Sequence, residues 1–301
     1  MADQATLNKQ EFKELRKASL LAGPSAVLFL MSLLCIITAW YLSLNGTISL
    51  TSGCAINGFS AYIIFSIAHD STHRALSSKL WLNDGMGSVA LLFLVPFAPM
   101  SVVRWMHIQH HRFTNDKMDP DRFIHSSPLW QAPVRWANFD LYYVYYFVRY
   151  GGKIARKSYL KIAMFLVVLI GLLTVGISAG YGLQILFLWF LPSRIALFLV
   201  AIVFVILPLY PGTVTHAENP YLATTMRLGS EWLITPLFAY HNYHLIHHLY
   251  PTIPFYKMAR AWHLKKAELM KHDVSIQKPF SLNPENIDVH RAFRSEQGDR
   301  K

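Results

Sequence analysis

The chain has 301 residues, 53% of them hydrophobic and only 15% charged, which is too apolar for an ordinary soluble domain and points to a membrane protein. Its formal net charge of +11 reads as topology control and attraction to anionic headgroups, and no nucleic-acid motif accompanies it, so nucleic acid is set aside as a partner. Only two cysteines occur, Cys35 and Cys54, both inside apolar stretches, so neither a disulfide scaffold nor a Cys-ligated iron–sulfur cluster is supported.

Residues 1–20 form a short polar lead of mixed charge, readable as a surface helix. Four apolar stretches follow at 22–44, 48–68, 160–181 and 185–207. Each is long enough to cross a hydrocarbon core of about 30 Å, which takes roughly 20 helical residues. The first is too long for a cleaved signal peptide and has no small-residue cleavage site behind it. A fifth stretch, 85–103, contains Pro96 and Pro99, and a proline inside a helix removes a hydrogen bond and kinks or ends it. That stretch is predicted to be interfacial or re-entrant.

With four crossings, all of the 28 Lys and Arg residues except Arg194 fall on one side. Positive loops stay in the cytoplasm, so both termini and nearly all the polar mass are predicted there, with the spans in an inner or plasma membrane. Arg194, within the fourth stretch, is predicted either to pair inside the bundle or to mark the outer limit of the span beside Pro192. No internal repeat or low-complexity linker interrupts the chain, so a single domain over 1–301 is the simplest organisation. The tail from about residue 279 is polar and predicted to be poorly ordered.

Eight of the 14 histidines fall in three groups: His69 and His73 in HDSTH, His107, His110 and His111 in HIQHH, and His244, His247 and His248 in HLIHH. Positions i, i+3 and i+4 share one face of a helix, so each group aims its imidazoles one way. The groups follow the second span, precede the third and follow the fourth, which predicts that all three gather at one membrane face. Eight imidazoles exceed what one four-coordinate metal uses, so two metals are implied. Imidazole suits zinc, copper, iron and nickel alike, and the ligand type leaves that choice open. The Glu and Glu-x-x-His ligands of soluble di-iron bundles are not found as a repeated pair.

The pattern HxxxH, HxxHH, HxxHH with spans arranged two and two resembles the membrane fatty acid desaturase superfamily, over roughly residues 69–256. The runs HIQHHRFTNDKMDPDRF from His107 and NYHLIHHLYPTIPFY from Asn242 resemble segments of β-carotene hydroxylases, and HHLYP-type endings also occur in acyl desaturases. The resemblance implies an all-α integral membrane protein, with four transmembrane helices and a cytoplasmic helical cap carrying a histidine-rich di-iron site. It implies iron ligands at His69, His73, His107, His110, His111, His244, His247 and His248. His216, in THAEN, is the candidate for a further ligand, and His241 is its competitor, lying seven residues before His248 on what would be a similar helical face.

Asp70, Asp116, Asp119, Asp121 and Asn242 are candidates to orient the imidazoles, while His125, His263, His272 and His290 lack cluster partners and are predicted inert. The implied chemistry is O2-dependent oxidation of a lipid C–H bond at two irons, with desaturation of a fatty acyl chain placed ahead of carotenoid ring hydroxylation. Residues 93–103 and 141–147 are available to line a substrate tunnel. No heme-binding or Cys-rich segment is present, which implies a separate ferredoxin or cytochrome as electron donor, with Arg104, Arg112 and Lys257 as candidate docking cations.

Among other classes, a metal transporter places polar ligands near the bilayer midplane, whereas these lie at span ends. A zinc metalloprotease is excluded because HExxH is absent.

Overall fold

The computed structural model describes residues 4–126 and 128–282; the predicted tail from residue 283 on, and His290 within it, lies outside the described residues. Four helices are long and apolar enough to cross a membrane: Gly23–Leu44, Leu50–Thr72, Gly152–Ser178 and Gly182–Leu209. They match the four stretches read from the sequence, and they make this an integral membrane protein. The polar lead is helical over Gln4–Leu15. The fifth apolar stretch is not one helix: Leu80–Leu91 and Met100–Phe113 are separated by the segment holding Pro96 and Pro99.

By compactness the chain divides into two units, one of residues 18–108 and 126–201, the other of residues 1–17, 109–125 and 202–301. The first holds three of the spans and most of the fourth. The second span is its core element, packing on both the first and the fourth. Small residues permit the close approach: a Cβ at Gly58 would fall 2.9 Å from Ile195, and one at Gly87 would fall 2.6 Å from Ser71. Such contacts replace the hydrophobic drive that lipid removes. The third span is exposed along its apolar length, as a lipid-facing helix should be.

Backbone groups that cannot find water at membrane depth must find protein partners. Pro192 has no N–H to offer the carbonyl of Leu188 four residues earlier, and the fourth span is π-helical over Leu186–Phe190. The Leu188 carbonyl instead accepts from Asn57 Nδ2 at 2.9 Å and Trp40 Nε1 at 3.0 Å. The broken stretch is satisfied in the same way: Trp189 Nε1 donates to the Leu92 carbonyl at 2.8 Å, and Arg194 reaches that of Leu94 at 3.4 Å.

Arg194 also forms a two-pronged ion pair with Asp140, both N···O distances being 2.9 Å. Asp140 is buried near the start of the helix Phe139–Tyr150. The intramembrane charge is therefore paired inside the protein, which settles the two alternatives left by the sequence.

In the second unit the helix Gln4–Leu15 packs on Met258–Leu269 through the bidentate Arg260–Glu11 pair at 2.6 and 2.7 Å and Phe12 against Tyr250. Two three-residue strands, β1 (Thr225–Arg227) and β2 (Ser275–Gln277), pair in parallel. Arg227 is buried and donates to five acceptors, among them the carbonyl of Leu207 in the last turn of the fourth span at 2.8 Å.

Candidate metal centre

In the span-rich unit, His69 lies in the last turns of the second span and His73 caps that helix, after which the chain turns at Arg74 with φ of 57°. His107 comes from the helix Met100–Phe113. The rings of His69 and His107 are 4.5 Å apart and those of His73 and His107 4.7 Å, and one ring nitrogen of each of the three falls within 4.8 Å of the others. Arg104, one turn before His107, fixes this register. Its Nε donates to the Thr72 carbonyl at 3.1 Å and its Nη2 to that of Ser71 at 2.9 Å, with Asp84 holding the guanidinium from the other side. These are carbonyls at the end of the second span, which an α-helix leaves without internal partners. Arg104 is thus committed to the fold, not free for carrier docking as the sequence allowed.

In the other unit, His110 and His111 end the same helix. Asn115 takes a left-handed conformation at φ of 64°, which suits asparagine, and its amide donates to the carbonyls of Val214 and Ala223, each at 2.8 Å. The chain then folds back so that Asp119 accepts from the backbone N–H of Asn115 and of Asp121 and stands 3.0 Å from His110 Nδ1, with Asp121 at 3.4 Å. A proton held on Nδ1 leaves the Nε2 lone pair of His110 free to coordinate. That atom faces His248 Nε2 at 3.3 Å, and His248 Nε2 lies 2.9 Å from His244 Nε2. His111 Nε2 and His247 Nε2 form a further pair at 2.9 Å, and His111 stacks on His248 at 4.1 Å.

This donor set fits a metal. Imidazoles on one ion, with bonds of about 2.1 Å meeting at right to tetrahedral angles, separate their nitrogens by roughly 3.0–3.4 Å. Without a cation these contacts are N–H···N hydrogen bonds whose direction follows the tautomers; a bound cation takes the Nε2 lone pairs in their place. Nδ1 of His244 is buried and without a hydrogen-bond partner among the described residues.

The electrostatics differ between members of the set. Burial by itself would lower the His110 pKa, but the Asp121 and Asp119 carboxylates push it up to about 9. His244 is held well below the usual histidine range by burial, with His241 and His110 adding repulsion, so it stays neutral and ready to ligate.

His241 does not continue the helix His244–Leu249. Ala239 and Tyr240 have positive φ, and His241 starts a separate 3-10 turn. Its ring lies 3.6 Å from that of Phe204, and its Nδ1 is 3.2 Å from the Ala239 carbonyl. The similar helical face read from the sequence therefore does not exist, although the ring remains 5.6 Å from His244. His216 is half-buried, outside the groups whose ring nitrogens converge, yet near enough to His110 for that charge, after burial, to lower its pKa.

Of the acidic candidates, Asp119 and Asp121 reach a ring, and Asp70 lies 3.8 Å from His69. Asp116 instead receives the N–H of Met118 in a turn. Asn242 donates to Thr235 and to the Arg227 carbonyl. Among the histidines read as inert, His272 stacks on Tyr221 at 3.9 Å, and His125 is largely buried, its pKa lowered by that burial.

The chain matches the family described as fatty acid desaturase over residues 45–280. It is 39% identical over 85 residues to an sn-1 oleoyl-lipid 12-desaturase of Picosynechococcus sp., a stretch covering 28% of this chain and 22% of that protein's length. It is 27% identical over 254 residues to the enzyme of the same name from Anabaena variabilis, covering 77% of this chain and 62% of that one. A beta-carotene ketolase of Paracoccus sp. is 25% identical over 201 residues, covering 65% of this chain and 72% of the ketolase.

Proposed function

Because the chain belongs to the fatty acid desaturase family and its buried and half-buried histidine triads suit a metal site, we propose that it is an O2-dependent di-iron oxidoreductase that introduces a double bond into a fatty acyl chain. The observation that carries this reading is the pair of histidine triads, His69/His73/His107 and His110/His244/His248, each with ring nitrogens within 4.8 Å. We take the ligands to be these six with His111 and His247, and His216 as a further one. Bound iron supplies the power to activate O2 toward an unactivated C–H bond.

The chain's own contribution is positional. Arg104 and the two-carboxylate turn at Asp119 and Asp121 hold the rings, and Asp119 keeps the His110 proton on Nδ1. Removing two hydrogens from adjacent methylenes while reducing O2 to two waters needs two further electrons and two protons. A separate ferredoxin or cytochrome therefore completes the cycle. On the charge distribution, the termini and the metal site face the cytoplasm, and the whole chain works as one desaturase domain.

Oxidation of a carotenoid ring is the second reading, supported by the match to ketolases over 72% of their length. Expression in a β-carotene-producing bacterial host, with pigments and fatty acids profiled together, separates the two. New unsaturated acyl chains are expected. New oxygenated carotenoids with an unchanged acyl profile would replace the first reading with the second.

A further inference from the structure

Outside the metal-binding segments, the second unit carries an apolar patch at the end of the fourth span. Trp232 is 80% exposed and Phe280 61%, and Leu233, Leu237 and Leu282 are exposed with them. In the short helix Glu231–Leu237, residues 232, 233 and 237 share one face, while Ile234 and Thr235 turn inward and are buried. The loop after β2 joins this face through the edge-on contact of Phe238 with Phe280 at 5.6 Å and through Pro279, which would touch a Cβ placed on Gly229 at 3.6 Å. An aromatic-rich patch of this kind in water marks an interaction surface.

Its height relative to the bilayer is set by one guanidinium. Arg227 donates from Nε to the Leu207 carbonyl at 2.8 Å, and from Nη1 to the carbonyls of Lys278, Pro279 and Ser281 at 3.0, 3.2 and 2.7 Å. Gln277 Nε2 adds a bond to the Tyr210 carbonyl at 3.2 Å. Leu207 belongs to the last turn of a membrane span, so the loop bearing Phe280 sits within one side chain's width of where that helix leaves the hydrocarbon. Glu231 is occupied in accepting the Gly229 N–H at 2.9 Å.

We propose that β1, β2 and the loop after β2 form a strap that holds Trp232, Leu233, Leu237, Phe280 and Leu282 in the interfacial layer of the bilayer, as a second, non-spanning membrane anchor. The tether to Leu207 in the last turn of a span argues for lipid over a protein partner, and tryptophan and phenylalanine favour that depth. The anchor is independent of which lipid the enzyme oxidises. The same chain segment leads directly into His241 and the third histidine group, so the anchor fixes the depth at which that group is held.

The test uses the full chain in vesicles of phosphatidylcholine and phosphatidylglycerol. In a Cys35→Ser background, Trp232→Cys and Phe280→Cys are each spin-labelled, with Lys271→Cys as an exposed control on the same unit. Collision with O2 is expected to exceed collision with a water-soluble nickel chelate at 232 and 280, and the reverse at 271. Nickel access at 232 and 280 equal to that at 271 would overturn the proposal. So would protection that appears only at high protein-to-lipid ratio, which indicates a second copy, or only after adding an acidic carrier protein. Wild-type tryptophan quenching by lipids brominated near the headgroup gives a check without labels, since Trp232→Phe is expected to remove a quenched component, and an unchanged quenching curve counts against the anchor.

Discussion

Asp119 stands 3.0 Å from Nδ1 of His110 while accepting two backbone N–H groups of its own turn, so a rigid carboxylate dictates which imidazole nitrogen faces the metal. Loss of such a partner typically costs 10–100-fold in metal affinity. Asp119→Asn is expected to weaken metal binding by about that factor while leaving the helical content intact. Titration of the metal-depleted protein, with circular dichroism as the fold control, measures both; wild-type affinity in the variant contradicts the assignment.

The same carboxylates make a prediction about the metal-free chain. His110 has its pKa raised from 6.5 to about 9, so its proton is bound more tightly in the folded protein than in the unfolded one. The stabilisation is complete below about pH 6.5 and is lost as pH rises through about 9. Thermal unfolding of the chelator-treated protein should show a melting temperature that falls over that window by a few degrees, and Asp119→Asn should flatten the slope. A profile rising with pH is the contrary result.

On the proposed two-iron reading, losing a ligand from either triad should cost one metal. His107→Ala and His244→Ala are each expected to retain about half the wild-type metal content with turnover abolished, since each removes one ligand from one of the two proposed metals. Full wild-type loading in either variant, read by elemental analysis, removes that histidine from the ligand set.

Arg194, mostly shielded, and the buried Asp140 form a pair held by two bonds of 2.9 Å. Removing one partner of such a pair costs about 3–5 kcal/mol, whereas replacing both by apolar residues is often neutral. Arg194→Leu should therefore lower the detergent melting temperature sharply, and the double variant Arg194→Leu with Asp140→Leu should recover much of it. Equal losses in the single and double variants contradict a paired charge.

The spans were legible because membrane crossing imposes a length and a composition, and the structure returns all four. The histidine groups were legible because helical spacing is local, and each group stays on or at the end of a helix. Arg104 was not, since its task depends on carbonyls more than 30 positions away in the chain. The seven-residue spacing from His241 to His248 misled because no single helix joins them: His241–Tyr243 is a 3-10 turn, and Tyr243, at φ of −100° and ψ of 35°, leaves the helical region before the helix begins at His244. Asp116 and Asp119, both acids of one turn, looked alike in sequence; only the fold-back at Asn115 brings one to the imidazole and leaves the other in the turn.

The carbonyl of Leu188 also bears on biogenesis. Its two donors, Trp40 and Asn57, belong to the first hairpin and are made by the ribosome long before Pro192 deprives the fourth helix of its internal bond. When the later hairpin enters the bilayer, the group it would otherwise strand in hydrocarbon meets acceptor-seeking side chains already in place, so the order of synthesis is also the order in which the penalty is removed.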